Sequence, residues 1–319
     1  MRISQLKIWL LIIILFAVIQ ASLCFRVVNP YWGQIIQYAG IVTISALGLN
    51  IIYGYTGQFS LGHAAFYGIG AYTSALITKC LGSNSPFVFL LSLLVGAAAA
   101  ALIAFLVGRP ILRLRSDYLG IATLGFGIIV KVIFDNADAV IPVCGGSRGM
   151  TCIPKFTSFA WVFFFFVASL IVVRNFVYSG YGRACISVRE DEIAAEAMGI
   201  NTTKYKTIGF VLGCAYAGIA GGLYAHLYCF LHPSNFDFLK SIDVLLIVVL
   251  GGLGSISGTL VASIVWTFLL EGLRVVLPPE ILDWRLVIYP LLLVAMMLLR
   301  PKGLFGGKEV GLIKSGEEQ

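Results

Sequence analysis

The spacing that best fits a catalytic nucleophile is Gly145-Gly-Ser147-Arg-Gly149, a match to G-x-S-x-G. Such a serine performs acyl transfer when a strand-to-helix elbow presents it beside a histidine. Here the motif sits in a glycine-rich stretch with no strand pattern before it. None of the three histidines, His63, His226 and His232, has a triad context. No H-E-x-x-H zinc helix and no G-x-x-x-x-G-K-[ST] phosphate loop occurs in the chain. A process driven by nucleotide would need another chain to hydrolyse it. The seven cysteines stand singly without metal-ligand spacing, and only Cys144 and Cys152 share a loop in which a disulfide is open.

Charge is concentrated in one run, SVREDEIAAEAMGINTTKYK, residues 187–206. Ser187 and Glu190 have capping-box spacing, and Glu190, Asp191 and Glu192 put negative charge in the first turn, where the helix dipole favours it. Ile193, Ala194, Ala197 and Met198 gather on one side, Glu192 and Glu196 on another. Gly199 and Asn201 suit a helix end. The pattern predicts a short amphipathic helix between membrane spans, of a kind that docks in a partner's groove or lies solvated against its own bundle.

Two glycine-rich interruptions cut otherwise apolar stretches, Gly54-Tyr-Thr-Gly57-Gln-Phe-Ser60-Leu-Gly62-His63 and Gly251-Gly252-Leu-Gly254-Ser255-Ile-Ser257-Gly258. One lies in each half of the chain, and paired broken segments are the sequence mark of an internally repeated transporter whose pathway passes the breaks. Irregular backbone cannot face lipid, so both must lie within protein or along a wet cavity. Candidate lining residues are Asn50, Tyr53, Gly57, Gln58, Ser60, His63, Gly254 and Ser257.

The elements that would position these groups follow from composition. Of 319 residues, 59% are hydrophobic and 12% charged, about half the charge of a soluble domain, and the mean hydropathy is +0.96. The chain reads as an all-α polytopic membrane protein, one permease domain over 1–319. Ten spans are expected, at 8–25, 34–53, 63–79, 87–107, 118–135, 159–178, 207–228, 241–253, 259–277 and 285–300, the eighth short for a crossing. The first is read as retained rather than as a signal peptide, being longer than the usual apolar core of one. Basic residues gather on one side if both termini are cytoplasmic, which places the segment at about 179–206 and the tail at about 301–319 inside and the loop at about 136–158 outside. The net charge of +7 then needs no nucleic acid. In the seventh span Gly209, Gly213, Ala217, Gly221 and Ala225 put a small residue at every fourth position, a face for close helix packing. Lys131, Arg174, Asp243, Glu271 and Arg274 lie in or near spans without forming a relay, and Glu271 can pair with Arg274. A secondary carrier would need a buried ionisable cluster, and an intramembrane enzyme a catalytic pair within the spans.

GLNIIYGYTGQFSLGHAAFYGIGAY (48–72), RSDYLGIATLGFG (115–127), the run 187–206, VVLGGLGSISG (248–258) and RPKGLFG (300–306) resemble the LivM-type permeases of branched-chain amino-acid ABC importers. The resemblance implies a bacterial inner-membrane pore subunit with no catalytic residue, cofactor or metal of its own. It implies a LivH-type permease beside it, two cytoplasmic ATPases that hold ATP and Mg, and a periplasmic binding protein. Segment 187–199 would be the coupling helix, with Arg189, Glu190, Asp191, Glu192, Ala195, Glu196 and Gly199 as ATPase-coupling residues. The general importer signature is met only loosely, with Gly199 in place and no Leu-Pro after it. Urea and amide permeases look similar, so the substrate stays open between a branched-chain amino acid and an amide.

Overall fold

The computed structural model describes residues 16–22, 25, 28–82, 85–114 and 116–276, with Leu291, Val294, Leu298 and 303–305. Residues 8–15, most of the expected span 285–300 and most of the tail 301–319 lie outside the described residues. Residues 16–22 are helical. Ten helices follow among the described residues: α1 Pro30–Leu49, α2 His63–Leu81, α3 Pro86–Ile111, α4 Ser116–Asp135, α5 Phe159–Val177, α6 Gly180–Glu190, α7 Glu192–Ala197, α8 Thr202–Tyr228, α9 Phe238–Gly251 and α10 Ile256–Val276. The one β pairing among these residues is an isolated bridge between Met150 and Leu231.

Local signals set the helix starts. Asn29 accepts the Tyr31 N–H and Ser85 that of Phe87, each followed by a proline at the first helical position, where the missing N–H costs nothing. Five segments are long and apolar enough to cross a membrane: Pro30–Tyr55, Pro86–Ile111, Tyr118–Asp135, Phe159–Val177 and Thr202–Tyr228. The first and last have 78% and 67% of their spanning windows buried, against 28% for the other three. α1 and α8 therefore form the centre, while α3, α4 and α5 turn residues such as Leu102, Leu106, Ile129, Ile133 and Phe164 outward, as a lipid-facing shell does. α9, at 14 residues, rises only about 21 Å, short of the ~30 Å hydrocarbon core.

The small-residue face of α8 is the hub. A Cβ on Gly213 would stand 2.4 Å from the Gly48 carbonyl oxygen of α1, and one on Gly221 1.9 Å from that of Tyr67 in α2. Gly218, off that face, brings α8 against Gly70 of α2 and Gly96 of α3. Near-contact of backbones maximises dispersion where lipid offers no hydrophobic drive.

α2 fixes which features share an end of the bundle. It starts at the first break, and near its other end Lys79 Nζ donates to the Thr151 carbonyl at 3.0 Å. Nineteen residues put these ends about 28 Å apart, so the 136–158 loop and the first break lie at opposite ends. The loop is a chain of 3-10 turns, Ala137–Ala139, Pro142–Cys144 and Gly146–Arg148. Ser147 is exposed on one of them with no strand before it.

The disulfide considered between Cys144 and Cys152 is absent, and both thiols are free. Cys144 is buried under the turns and Cys152 is at the loop surface, so the two do not present to each other. Burial also pushes the Cys144 thiol up, away from the reactive thiolate. In single-cysteine variants a maleimide is expected to label Cys152 at least about tenfold faster than Cys144. Equal rates would contradict the burial of Cys144 under the turns.

Candidate functional site

The two breaks meet, and the charged connector reaches into their junction. α1 runs into a π-helical turn, Asn50–Tyr55, a wider winding that often marks functional positions. The turn carries Asn50 into the protein, fully buried. Its Nδ2 donates to the Ser255 carbonyl at 3.1 Å, and its Oδ1 accepts the Gly254 N–H at 3.0 Å. One side-chain amide thus pairs two backbone groups of the second break that would otherwise be orphaned. Gly54 must lack a side chain, since a Cβ there would lie 1.9 Å from Asn50 Oδ1. Ser255 then starts α10 by accepting the Gly258 N–H at 3.0 Å. Ser257, buried, has its Oγ 3.3 Å from that of Ser255. Of the closing RPKGLFG motif, residues 303–305 lie against the same break, with the Leu304 N–H on the Leu250 carbonyl at 2.8 Å.

Into this junction comes Arg189. Its Nη1 donates to the Gly54 carbonyl at 2.6 Å, and it also pairs with Glu190. A Cβ on Gly57 would meet Arg189 Cγ at 2.9 Å, and one on Gly254 would meet Nη1 at 2.8 Å. The guanidinium is therefore wedged between the two breaks, with glycine on both sides making room.

The helix start expected at Ser187 and Glu190 is not there. Ser187 lies inside α6, donating to the Arg183 carbonyl, and α6 begins at Ser179, whose Oγ accepts the Gly182 N–H. The chain breaks at Asp191, extended at φ −155°, whose Oδ1 accepts the Ile193 and Ala194 N–H groups at 2.9 and 3.0 Å. A carboxylate taking two N–H groups at the positive end of a new helix is a stronger cap than the serine box. Gly199 takes φ +82° after α7, and Asn201 caps α8 by accepting the Lys204 N–H rather than closing α7.

The predicted coupling residues consequently divide. Arg189 points inward; Asp191 is a cap; Ala195 is buried; Glu192 pairs with Lys206, and Glu196 accepts from Thr202 Oγ1 at 2.7 Å. The large apolar side chains that α7 and its end present outward are Ile193 and Met198, 82% and 83% exposed, beside the exposed Glu192 and Glu196. The sequence places them on the apolar side of this helix, whereas the expected coupling residues are mostly the charges beside them.

Of the candidate lining residues, Tyr53 stacks edge-on against Phe59 at 5.6 Å. Gln58 and Ser60 are buried with side-chain polar atoms that have no hydrogen-bond partner among the described residues. His63, 1% exposed, has Nε2 3.0 Å from the Ser45 carbonyl, while Nδ1 is unpaired. Ser45 Oγ and Tyr67 OH are buried and unpaired as well. His63, Ser45 and Tyr67 line one small cavity with Lys240. Each such orphan costs about 1–3 kcal/mol, so this cluster calls for a polar occupant. Ser45, Tyr67 and Lys240 were not among the expected site residues, because only the packing of α9 on α1 and α2 gathers them. His226, by contrast, is satisfied by Gly222 and Thr78 and is structural. Lys131 pairs with Asp237 at 2.9 Å and Glu271 with Arg274 at 3.7 Å.

Residues 31–297 match the family described as branched-chain amino acid transport system / permease component. The chain is 36% identical over 312 residues to the high-affinity branched-chain amino acid transport system permease protein LivM of Salmonella typhimurium, covering 87% of this chain and 71% of the relative. Identity to LivM of Escherichia coli K12 is 35% over 298 residues, 83% and 67% of the two chains. The permease protein LivH of Escherichia coli K12 is 28% identical over 287 residues, 83% of this chain and 91% of the relative. No solved structure matches.

Proposed function

Since the chain belongs to the permease-component family of branched-chain amino acid transport systems, a family of multi-pass membrane proteins, we propose that it is the LivM-type permease subunit of an ABC importer for leucine, isoleucine and valine. It crosses the bacterial inner membrane about ten times, both termini cytoplasmic, as two repeats whose equivalent breaks face each other across Asn50. A LivH-type permease completes the pore; similarity to LivM and LivH alike supports such a pair. Two ATPases bind and hydrolyse ATP with Mg on the cytoplasmic face, and a periplasmic protein delivers substrate. The chain itself is non-catalytic.

The observation that carries the coupling reading is the bond from Arg189 to Gly54. It ties the connector that bears α7 to both breaks, so a displacement of α7 is felt where the spans are interrupted. α7 is the coupling helix, and Ile193 and Met198 are its anchors in an apolar groove of an ATPase. Alternating access follows: closure of the ATPases shifts α7, Arg189 and the start of α8 together, and the junction of the breaks opens or closes the route.

Burying two such side chains contributes about 1.5–3 kcal/mol each. Ile193→Asp with Met198→Asp is expected to leave the permease pair intact and to cut ATPase recovery in mild-detergent purification at least about a hundredfold, the lower end of that sum with tenfold per 1.4 kcal/mol. Undiminished recovery would remove α7 as the docking helix.

A further inference from the structure

We propose that the cavity between α1, α2 and the head of α9 is the site that holds the transported amino acid by its charged ends, Lys240 taking the α-carboxylate and His63 Nδ1 the α-ammonium. This rests on the importer reading above. Four observations carry it. His63 Nε2 sits on the Ser45 carbonyl, which can only accept, so Nε2 bears the proton and Nδ1 of the neutral ring is a buried, unpartnered lone pair on a residue that lines the cavity. That is the partner an ammonium N–H requires. Lys240 Nζ spends one N–H on Tyr38 OH at 2.7 Å and keeps only a loose pair with the half-exposed Asp243 at 3.8 Å. Of its three donors, one stays open for an anion, and the one on Asp243 is held only loosely. Ser45 Oγ and Tyr67 OH, both unpaired, add hydroxyls that can donate to the same carboxylate. The remaining wall is apolar, Val42, Ala64 and Val244, suited to an aliphatic side chain.

The donor set discriminates between substrates. The cation of Lys240 gains a full charge pair from a carboxylate, and the lone pair of His63 a charged donor from an ammonium, whereas neutral urea offers each only an uncharged hydrogen bond, the weaker kind. In this conformation the cavity is about 10 Å³, room for about one water. It is closed around the site, and α9 must draw away from α1 for an amino acid to enter.

The test uses the assembled importer without its binding protein, nucleotide-free in detergent, with radiolabelled leucine as ligand. 4-Methylpentanoate, which lacks the ammonium, and 3-methylbutylamine, which lacks the carboxylate, serve as competitors. Wild type is expected to bind leucine and to be inhibited by both. Lys240→Met is expected to weaken leucine at least about tenfold and to lose inhibition by the acid while keeping that by the amine; Lys240→Arg restores it. His63→Gln shows the reverse pattern. Tyr67→Phe, which removes one oxygen, weakens leucine and the acid several-fold and leaves the amine unchanged. A crossed pattern of this kind cannot come from a general packing defect. Unaltered leucine binding and competition in these variants, or no leucine binding by a wild-type complex that still imports it, would overturn the assignment alone. A complete wild-type importer that moves no leucine would overturn the importer reading and this one with it.

Discussion

Arg189→Ala is expected to separate ATP hydrolysis from uptake. In proteoliposomes carrying the whole importer, ATPase activity should stay within about twofold of wild type while leucine uptake falls to about a tenth or less. The side chain does not sit on the outward face that would meet an ATPase; its Nη1 bonds the Gly54 carbonyl at 2.6 Å, between Gly57 and Gly254. A charged hydrogen bond of this kind contributes about 1.5–3 kcal/mol, one to two decades in the equilibrium between joined and separated connector. The alanine leaves the Gly54 carbonyl without its donor and fills none of the wedge. Arg189→Lys should recover part of the uptake, since one ammonium can reach the carbonyl but lacks the guanidinium fork that also holds Glu190. Full uptake by the alanine variant would show that motion reaches the breaks by another route, with α8 the next element to test.

The second large effect is on the fold. Gly221→Ala should abolish recovery of folded permease from the membrane, whereas Gly125→Ala should leave it unchanged. A methyl at Gly221 would lie 1.9 Å from the Tyr67 carbonyl oxygen and within 3.0 Å of the Ala71 nitrogen. Both are backbone atoms of α2 and cannot rotate away, so the two central helices must separate along their contact. Overpacking alone costs about 1–3 kcal/mol where side chains can yield, and here nothing yields. At Gly125, inside α4, no atom lies within 4 Å of the added carbon, so only the small gain in helix propensity remains, about 0.5–1 kcal/mol. Yield of monodisperse protein by size-exclusion chromatography reads both, and a well-folded Gly221→Ala protein would mean that α8 and α2 do not approach this closely.

Much of this architecture is legible in the sequence. Hydropathy locates the spans because a bilayer demands continuous apolar helix, and the expected helices at 87–107, 118–135 and 159–178 recur within a few residues as α3, α4 and α5. The stripe from Gly209 to Ala225 marked α8 as a packing helix because small residues at every fourth position share one face. The two breaks were visible because clustered glycines interrupt apolar runs. Single-residue detail was less legible. Ser187 and Asp191 both offer plausible caps in one-dimensional spacing, and backbone geometry decided for the carboxylate, which reaches two N–H groups where the serine is still inside a helix.

The sequence by itself determined the class, the family and the positions of the two breaks and the charged connector, since composition, period and motif are properties of neighbours along the chain. It could not determine that those segments touch. Asn50 stands more than 200 residues from Gly254 and 139 from Arg189, and no local pattern records that one amide joins both breaks or that a guanidinium is wedged between them. The same holds for His63 and Lys240, which stand 177 residues apart and come together only when α9 packs on α1 and α2. Contacts across such separations are set by how whole helices pack, through glycine backbones that approach within van der Waals range, and only the tertiary structure carries that information.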